Sequence, residues 1–154
     1  MSDVEVHRRV QAPVDEVWRI ATDLESAPQV VRGIDAVEVL TPGPFGVGTR
    51  WRETRTMFGR SATEEMTVSA VDPGRSYTVE ATSSGVHYLS TFSFAPAGEG
   101  ATEATMTFGG RPTTRVAKVL GALTAPLATR SVEKALRADL DDIAAAAERG
   151  AATG

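Results

Sequence analysis

The chain has 154 residues, 42% of them hydrophobic and 23% charged, the make-up of one soluble globular domain long enough to bury a core. A net charge of −4 argues against a nucleic-acid binder, which needs a basic face. The absence of cysteine excludes disulfides, thiolate metal sites and cysteine nucleophiles. Val4, Val6 and Val10 share one parity, which predicts a strand over 3–11. Ala12-Pro13 ends it, and Pro13 suits the first turn of a helix, where its missing N–H costs nothing. Val14, Val17, Trp18 and Ala21 then fall at helical spacing. Thr22 or Asp23 is placed to cap a second short helix over 24–31, which Pro28 makes irregular.

From Ile34 to Gly109 the chain reads as strands over 34–40, 49–57, 62–71, 76–82, 86–94 and 101–109. Turn residues separate them: the Gly- and Pro-rich 41–48, Phe58-Gly59-Arg60, Asp72-Pro73-Gly74, Ser83-Ser84-Gly85 and 96–100. Short links between neighbouring strands predict an antiparallel meander. Arg50, Arg52, Arg55 and Arg60 cluster in this region and read mainly as solvated strand residues.

A helical pattern fills 113–149 and changes phase once. Val116, Val119, Leu120, Leu123 and Leu127 form one stripe, and Val132, Leu136, Leu140 and Ile143 another. Pro126 lies just before the five-residue step, so a kink or break is expected near Thr124–Pro126, with Thr124 as a cap. The arrangement predicts one domain over 3–148 and a flexible Ala/Gly-rich tail at 149–154. The start, Met1 to His7, lacks the basic-then-apolar pattern of a signal peptide, and no apolar run approaches the roughly 20 residues that span a bilayer. A cytoplasmic protein without an integral membrane segment is therefore expected.

Certain residues in this order carry a family likeness. Val4-x-Val6 is followed by Val10-x-Ala12-Pro13-x-x-x-Val17-Trp18 and by Asp23, Pro28 and Ile34. Gly46-x-Gly48-Thr49-x-Trp51-x-Glu53 precedes Gly59-Arg60; Phe94-x-Pro96, Gly100-x-Thr102 and Leu136-x-x-Asp139-Leu140 come later. Taken together these resemble the START-like (SRPBCC) superfamily, in its polyketide cyclase/dehydratase and lipid-transport branch. The resemblance covers about residues 3–148. It implies an α+β helix-grip fold: a curved seven-stranded antiparallel sheet wrapped around a long C-terminal helix, with two short helices after the first strand. It also implies an internal cavity for an apolar or amphipathic ligand, and leaves catalysis open.

Strand parity gives the candidate lining. Facing inward are Trp51, Glu53, Arg55 and Met57; Glu64, Met66, Val68 and Ala70; Tyr77, Val79 and Ala81; Val86, Tyr88, Ser90, Phe92 and Phe94; and Ala104, Met106 and Phe108. Leu120, Leu123 and Leu127 supply the expected helix wall. Glu53, Arg55 and Glu64 come together through the 58–60 turn, either as a polar anchor or acid/base set in the cavity, or as an ion pair at the open rim of the sheet. Tyr77 and Tyr88 are placed to hydrogen-bond a ligand oxygen. His7 and His87 fall on the outward parity, isolated and without ligand spacing, so neither a metal nor a cofactor is expected. The glycines of 43–48 join two strands and lack the context of a phosphate loop.

Three readings follow. The first is a module that binds a small hydrophobic, lipid-like or polyketide-like molecule. The second is a cyclase or dehydratase with Glu53, Glu64 or Tyr88 as acid/base. The third is a protein-interaction module using the groove. Ligand identity and oligomeric state are not encoded in any pattern found.

Overall fold

Alternating polarity makes the strands, and turn chemistry fixes their order. The computed structural model describes residues 4–57, 59–83 and 85–153 and, within these, not the side chains of residues 57, 117, 119–129 and 153. β1 (Val4–Val10) leads into α1 (Val14–Thr22), a single 3-10 turn at Leu24–Ser26 and α2 (Ala27–Val30). Then come β2 (Ile34–Val39), β3 (Arg50–Met57), β4 (Arg60–Asp72), β5 (Ser76–Ser83), β6 (Val86–Pro96) and β7 (Thr102–Pro112). A single helix, α3 (Arg115–Thr153), follows them.

All pairings are antiparallel, in the order β1-β7-β6-β5-β4-β3-β2. Five of the six pairings join neighbours in sequence, as short turns dictate. Gly74, at a φ of +75°, closes the β4–β5 turn in a conformation that a side chain would oppose. The sixth pairs β1 with β7, bringing Val6 opposite Met106. This is the helix-grip arrangement: a curved seven-stranded sheet around one long helix.

The core lies between that helix and the sheet. Val6, Val10, Val17, Val68 and Leu140 are almost wholly buried, each contributing about 1.5–3 kcal/mol of apolar burial. Thr102, fully buried, donates its hydroxyl hydrogen bond to the Ala12 carbonyl at 2.7 Å, which fixes where β1 turns into α1. Three aspartates tie α3 across the sheet. Asp141 pairs with Arg8 on β1, Asp142 with Arg32 before β2, and Asp139 with Arg55 on β3.

The structure departs from sequence expectation in several places. α3 runs without a break from Arg115 to Thr153, through Pro126 and through residues 149–153, assigned above to a tail. Ala, Leu, Lys and Arg recur on both sides of Pro126, so helix is favoured on each side and one lost backbone bond does not end it. Thr22 does not cap the next turn; its hydroxyl donates back to the Trp18 carbonyl at 2.8 Å, and Asp23 makes no capping bond either. β4 carries a bulge between Val68 and Ala70, where the pairing steps from Val68↔Val79 to Ala70↔Thr78. The extra residue reverses the parity, so Ala70 is exposed and Val71, paired with Tyr77, packs against the core instead. No helix among the described residues is long and apolar enough to cross a membrane.

Candidate functional site

A cavity of about 370 Å³ lies between the sheet and the helices, a size at the lower end of small-molecule pockets. Alternate residues of five strands supply most of its wall: Trp51, Glu53 and Arg55; Glu64 and Met66; Tyr77, Val79, Ala81 and Ser83; Tyr88, Ser90 and Phe92; Met106 and Phe108. Val68 does not reach it. It sits just before the bulge, its backbone bonded to Gly48 and Thr49, and fills the closed core instead. The side chains of the candidate positions Met57, Leu120, Leu123 and Leu127 are not among those described.

The remaining wall was not legible from strand parity. Ile20, Ala21, Leu24, Ala27 and Val30 of the short helices close one side, with Val31 and Ile34 beside them. Val132, Ala135, Leu136, Asp139 and Ile143 of α3 close another. Asp139 is the functional-looking residue that strand reasoning missed. Its helical phase carried the signal, since it lies three residues after Leu136 and four before Ile143, on the buried stripe.

The floor is aromatic. Tyr77 stacks on Phe92 at 4.7 Å between ring centroids and meets Trp18 and Phe45 edge-on at 5.7 and 5.0 Å. Its hydroxyl points at the Ala21 carbonyl, 3.4 Å away. Burial, with a smaller push from the Glu53 charge, raises its pKa far above that of a free phenol. Tyr77 is thus a neutral structural phenol.

One wall is charged. Arg55 Nε donates to Glu53 Oε2 at 2.7 Å, while Nη1 and Nη2 donate to the two oxygens of Asp139 at 3.2 and 2.8 Å. Trp51 Nε1 donates to the other Glu53 oxygen at 3.2 Å. The Glu53 and Asp139 side chains are each only 11% exposed, so this is an enclosed cluster and not a rim pair. Burial raises the Asp139 pKa above its usual value; the Arg55 bonds pull it down only in part, and the Glu53 and Asp142 charges add to the rise. Burial alone would lower the Arg55 pKa, but bonds and charge from Asp139 and Glu53 hold it above the ordinary arginine range. The guanidinium therefore stays charged, and both its faces are committed.

The second polar group stands across the strand pair. Glu64 lies directly opposite Glu53 in the β3–β4 register. Like charges so placed repel, and the two carboxylates are engaged separately: Glu53 by Trp51 and Arg55, Glu64 by the Ser83 hydroxyl at 2.8 Å. Tyr88 stacks on Phe108 at 5.4 Å and packs over Gly110, its cross-strand partner. Burial and then the nearby Glu64 charge raise the Tyr88 pKa, keeping it a phenol that can donate. Among the described residues, Glu64 Oε2 and Tyr88 Oη carry no hydrogen bond. His87 lies outside, bonded to Glu80 and Thr82, and His7 pairs outside with Glu5. No group of three or more metal-ligating side chains occurs among the described residues.

Comparison with known proteins places this geometry. The family model described as polyketide cyclase/dehydrase and lipid transport matches residues 1–148. No curated protein matches the chain. Among solved structures, TTHA0849 from Thermus thermophilus is 21% identical at a TM-score of 0.80, over 97% of this chain and 99% of that one. The Zhui aromatase/cyclase from Streptomyces sp. R1128 is 21% identical at 0.73, over 96% and 94%. A START superfamily protein from Mycobacterium smegmatis is 17% identical at 0.71, over 98% and 97%. At these identities the structural likeness establishes the fold.

Proposed function

Since the chain belongs to the START-like polyketide cyclase/dehydrase and lipid-transport family, we propose that it binds a small apolar or amphipathic molecule in the cavity between sheet and helices. The observation that carries this reading is the composition of the wall. Apolar side chains from six strands and four helical segments line the cavity, and a few polar groups, Glu64, Tyr88 and Ser90 among them, stand where they can orient a bound molecule. Apolar burial supplies the affinity in such a site, and the polar groups supply the pose. Ligand-binding roles accordingly fall to Trp51, Met66, Tyr77, Val79, Phe92, Met106 and Phe108 for packing and to Ser90 at a polar point, while Arg55, assigned to the ligand by strand parity, holds Glu53 and Asp139 in the wall.

Mass spectrometry of small molecules released from the purified native protein tests this directly. A lipid-like or polyketide-like molecule at near one per chain is expected. Glu64→Leu should reduce its recovery more than Glu65→Leu, because Glu65 faces out toward Arg50. Equal recovery from the two variants would remove Glu64 from the site.

A second reading, acid/base chemistry of the cyclase or dehydratase type, is favoured by one observation. Glu64 and Tyr88 both line the cavity, and among the described residues Glu64 Oε2 and Tyr88 Oη have no hydrogen-bond partner, whereas Glu53 has both oxygens engaged. If chemistry occurs, Glu64 and Tyr88 are its groups and Glu53 positions Arg55. Turnover of an added substrate, abolished in Glu64→Gln and Tyr88→Phe, would favour this reading over simple binding.

A further inference from the structure

We infer that the cavity selects its ligand by donor chemistry: it admits an apolar body bearing a hydroxyl or an ammonium and rejects the same body bearing a carboxylate, with Glu64 as the specificity-determining residue. This deepens the ligand-binding reading above and rests on it.

The argument is an inventory of charge. The ionisable carboxylates and cations of the described lining are Glu53, Glu64, Asp139 and Arg55, three carboxylates against one guanidinium. Three of its five N–H groups already donate to Glu53 or Asp139, and the two that remain, one on each Nη, are not adjacent. It offers no open fork to an incoming carboxylate, the usual way such an anion is held. Among the described residues no second cation lines the cavity. Residues 119–129 of α3 contain no ionisable side chain, and both histidines lie on the outer face of the sheet.

What remains unspent is an acceptor and two hydroxyls: Glu64 Oε2, Tyr88 Oη and Ser90. Glu64 is held in place through its other oxygen by Ser83, so the free oxygen is aimed and not mobile. A ligand hydroxyl can donate to Glu64 and accept from Tyr88 at once. An ammonium gains the same bond with charge added. A carboxylate would lose hydration among like charges and find no paired donors to hold both of its oxygens, which disfavours it in a mostly apolar site.

Calorimetric titration with three probes sharing one ring system tests the inference: 2-naphthylmethanol, 2-naphthylmethylamine and 2-naphthoate. The alcohol and the amine are expected to bind at least tenfold more tightly than the carboxylate. Glu64→Gln, which keeps a carbonyl oxygen for Ser83, should shrink that gap below threefold. Glu65→Gln, on the outer face, should leave it unchanged. Naphthoate binding to the wild type as tightly as the alcohol overturns the inference while leaving ligand binding intact, and so does a gap that survives Glu64→Gln. If none of the three binds, and the native protein carries no small molecule, the ligand-binding reading itself falls. Should Glu64→Gln fail to fold, the wild-type order alone still decides between donor and carboxylate.

Discussion

Arg55 and Asp139 stand 84 positions apart in sequence, yet the guanidinium of one holds both oxygens of the other, at 3.2 and 2.8 Å, across the inside of the fold. Glu53 approaches the same guanidinium through Nε, so two carboxylates share one cation. The two partners are therefore not equivalent. Removing Asp139 leaves a balanced Glu53–Arg55 pair, whereas removing Arg55 leaves two enclosed carboxylates facing each other.

Arg55→Met is accordingly expected to destabilise the protein by about 3–5 kcal/mol, the range found when a buried ion pair loses one member. Asp139→Asn should change stability by about 1 kcal/mol or less. Urea unfolding of both variants at neutral pH checks the order. An Asp139→Asn penalty equal to that of Arg55→Met would contradict the shared-cation description.

The pH dependence follows from the direction of the Asp139 shift. Its native pKa lies above the unfolded value of 3.8, so between the two values the folded state binds more protons than the unfolded one. The stability this contributes is complete below 3.8 and is lost as pH rises through the native value. Unfolding free energies of the wild type and Asp139→Asn, measured from pH 3 to pH 7, should show the wild type losing ground to the variant as pH increases. The opposite slope would mean that Arg55 outweighs burial.

At the alkaline end Tyr77 sets the limit. Its phenol stays neutral in the aromatic floor, while the unfolded chain ionises it near pH 10, so stability falls as pH rises above 10. Tyr77→Phe removes only a long 3.4 Å bond, worth about 1 kcal/mol or less at neutral pH. It should also move the alkaline unfolding midpoint upward. Circular dichroism between pH 8 and pH 12 would show it; an unchanged midpoint would assign the transition to other groups.

Gly110 offers a test of Tyr88 that leaves its hydroxyl in place. A Cβ at Gly110 would come within 3.1 Å of the Tyr88 ring and of Val86. Gly110→Val should therefore push the ring off its present position, weakening ligand binding several-fold and costing about 1–3 kcal/mol of stability by overpacking. Binding that is unaffected would show that Tyr88 does not set the pose.

Much of this was legible from residue order. The β3–β4, β5–β6 and β6–β7 ladders run without a bulge, so the inward faces, from Trp51 and Glu53 to Met106 and Phe108, could be read by parity from their apolar members. In β4 the same rule held through Val68 and failed at Ala70, because an extra residue in the ladder leaves no mark in the pattern of polar and apolar residues. The short helices escaped for a different reason: four residues, as in α2, make barely one turn and present no period from which to choose a face. Asp139 carries a charge, which on a helix ordinarily marks the solvent side, although its neighbours Leu136, Leu140 and Ile143 fix its direction inward. The proline in α3 shows the opposite error, a strong local signal outweighed by the residues around it.

The pairing of β1 with β7 has a consequence for how the molecule is made. Val4 waits for Phe108 across more than a hundred positions of chain, and Arg8 for Asp141 across 133. During synthesis the hairpins of β2 to β6 can assemble as they emerge, but the first strand stays without its partner until β7 arrives. The inner face of the sheet then remains uncovered until α3 is complete. Contacts of such long sequence separation slow folding, and the exposed apolar face is the part of the nascent chain most in need of a chaperone. The wall that shapes the cavity is also the last piece to be laid.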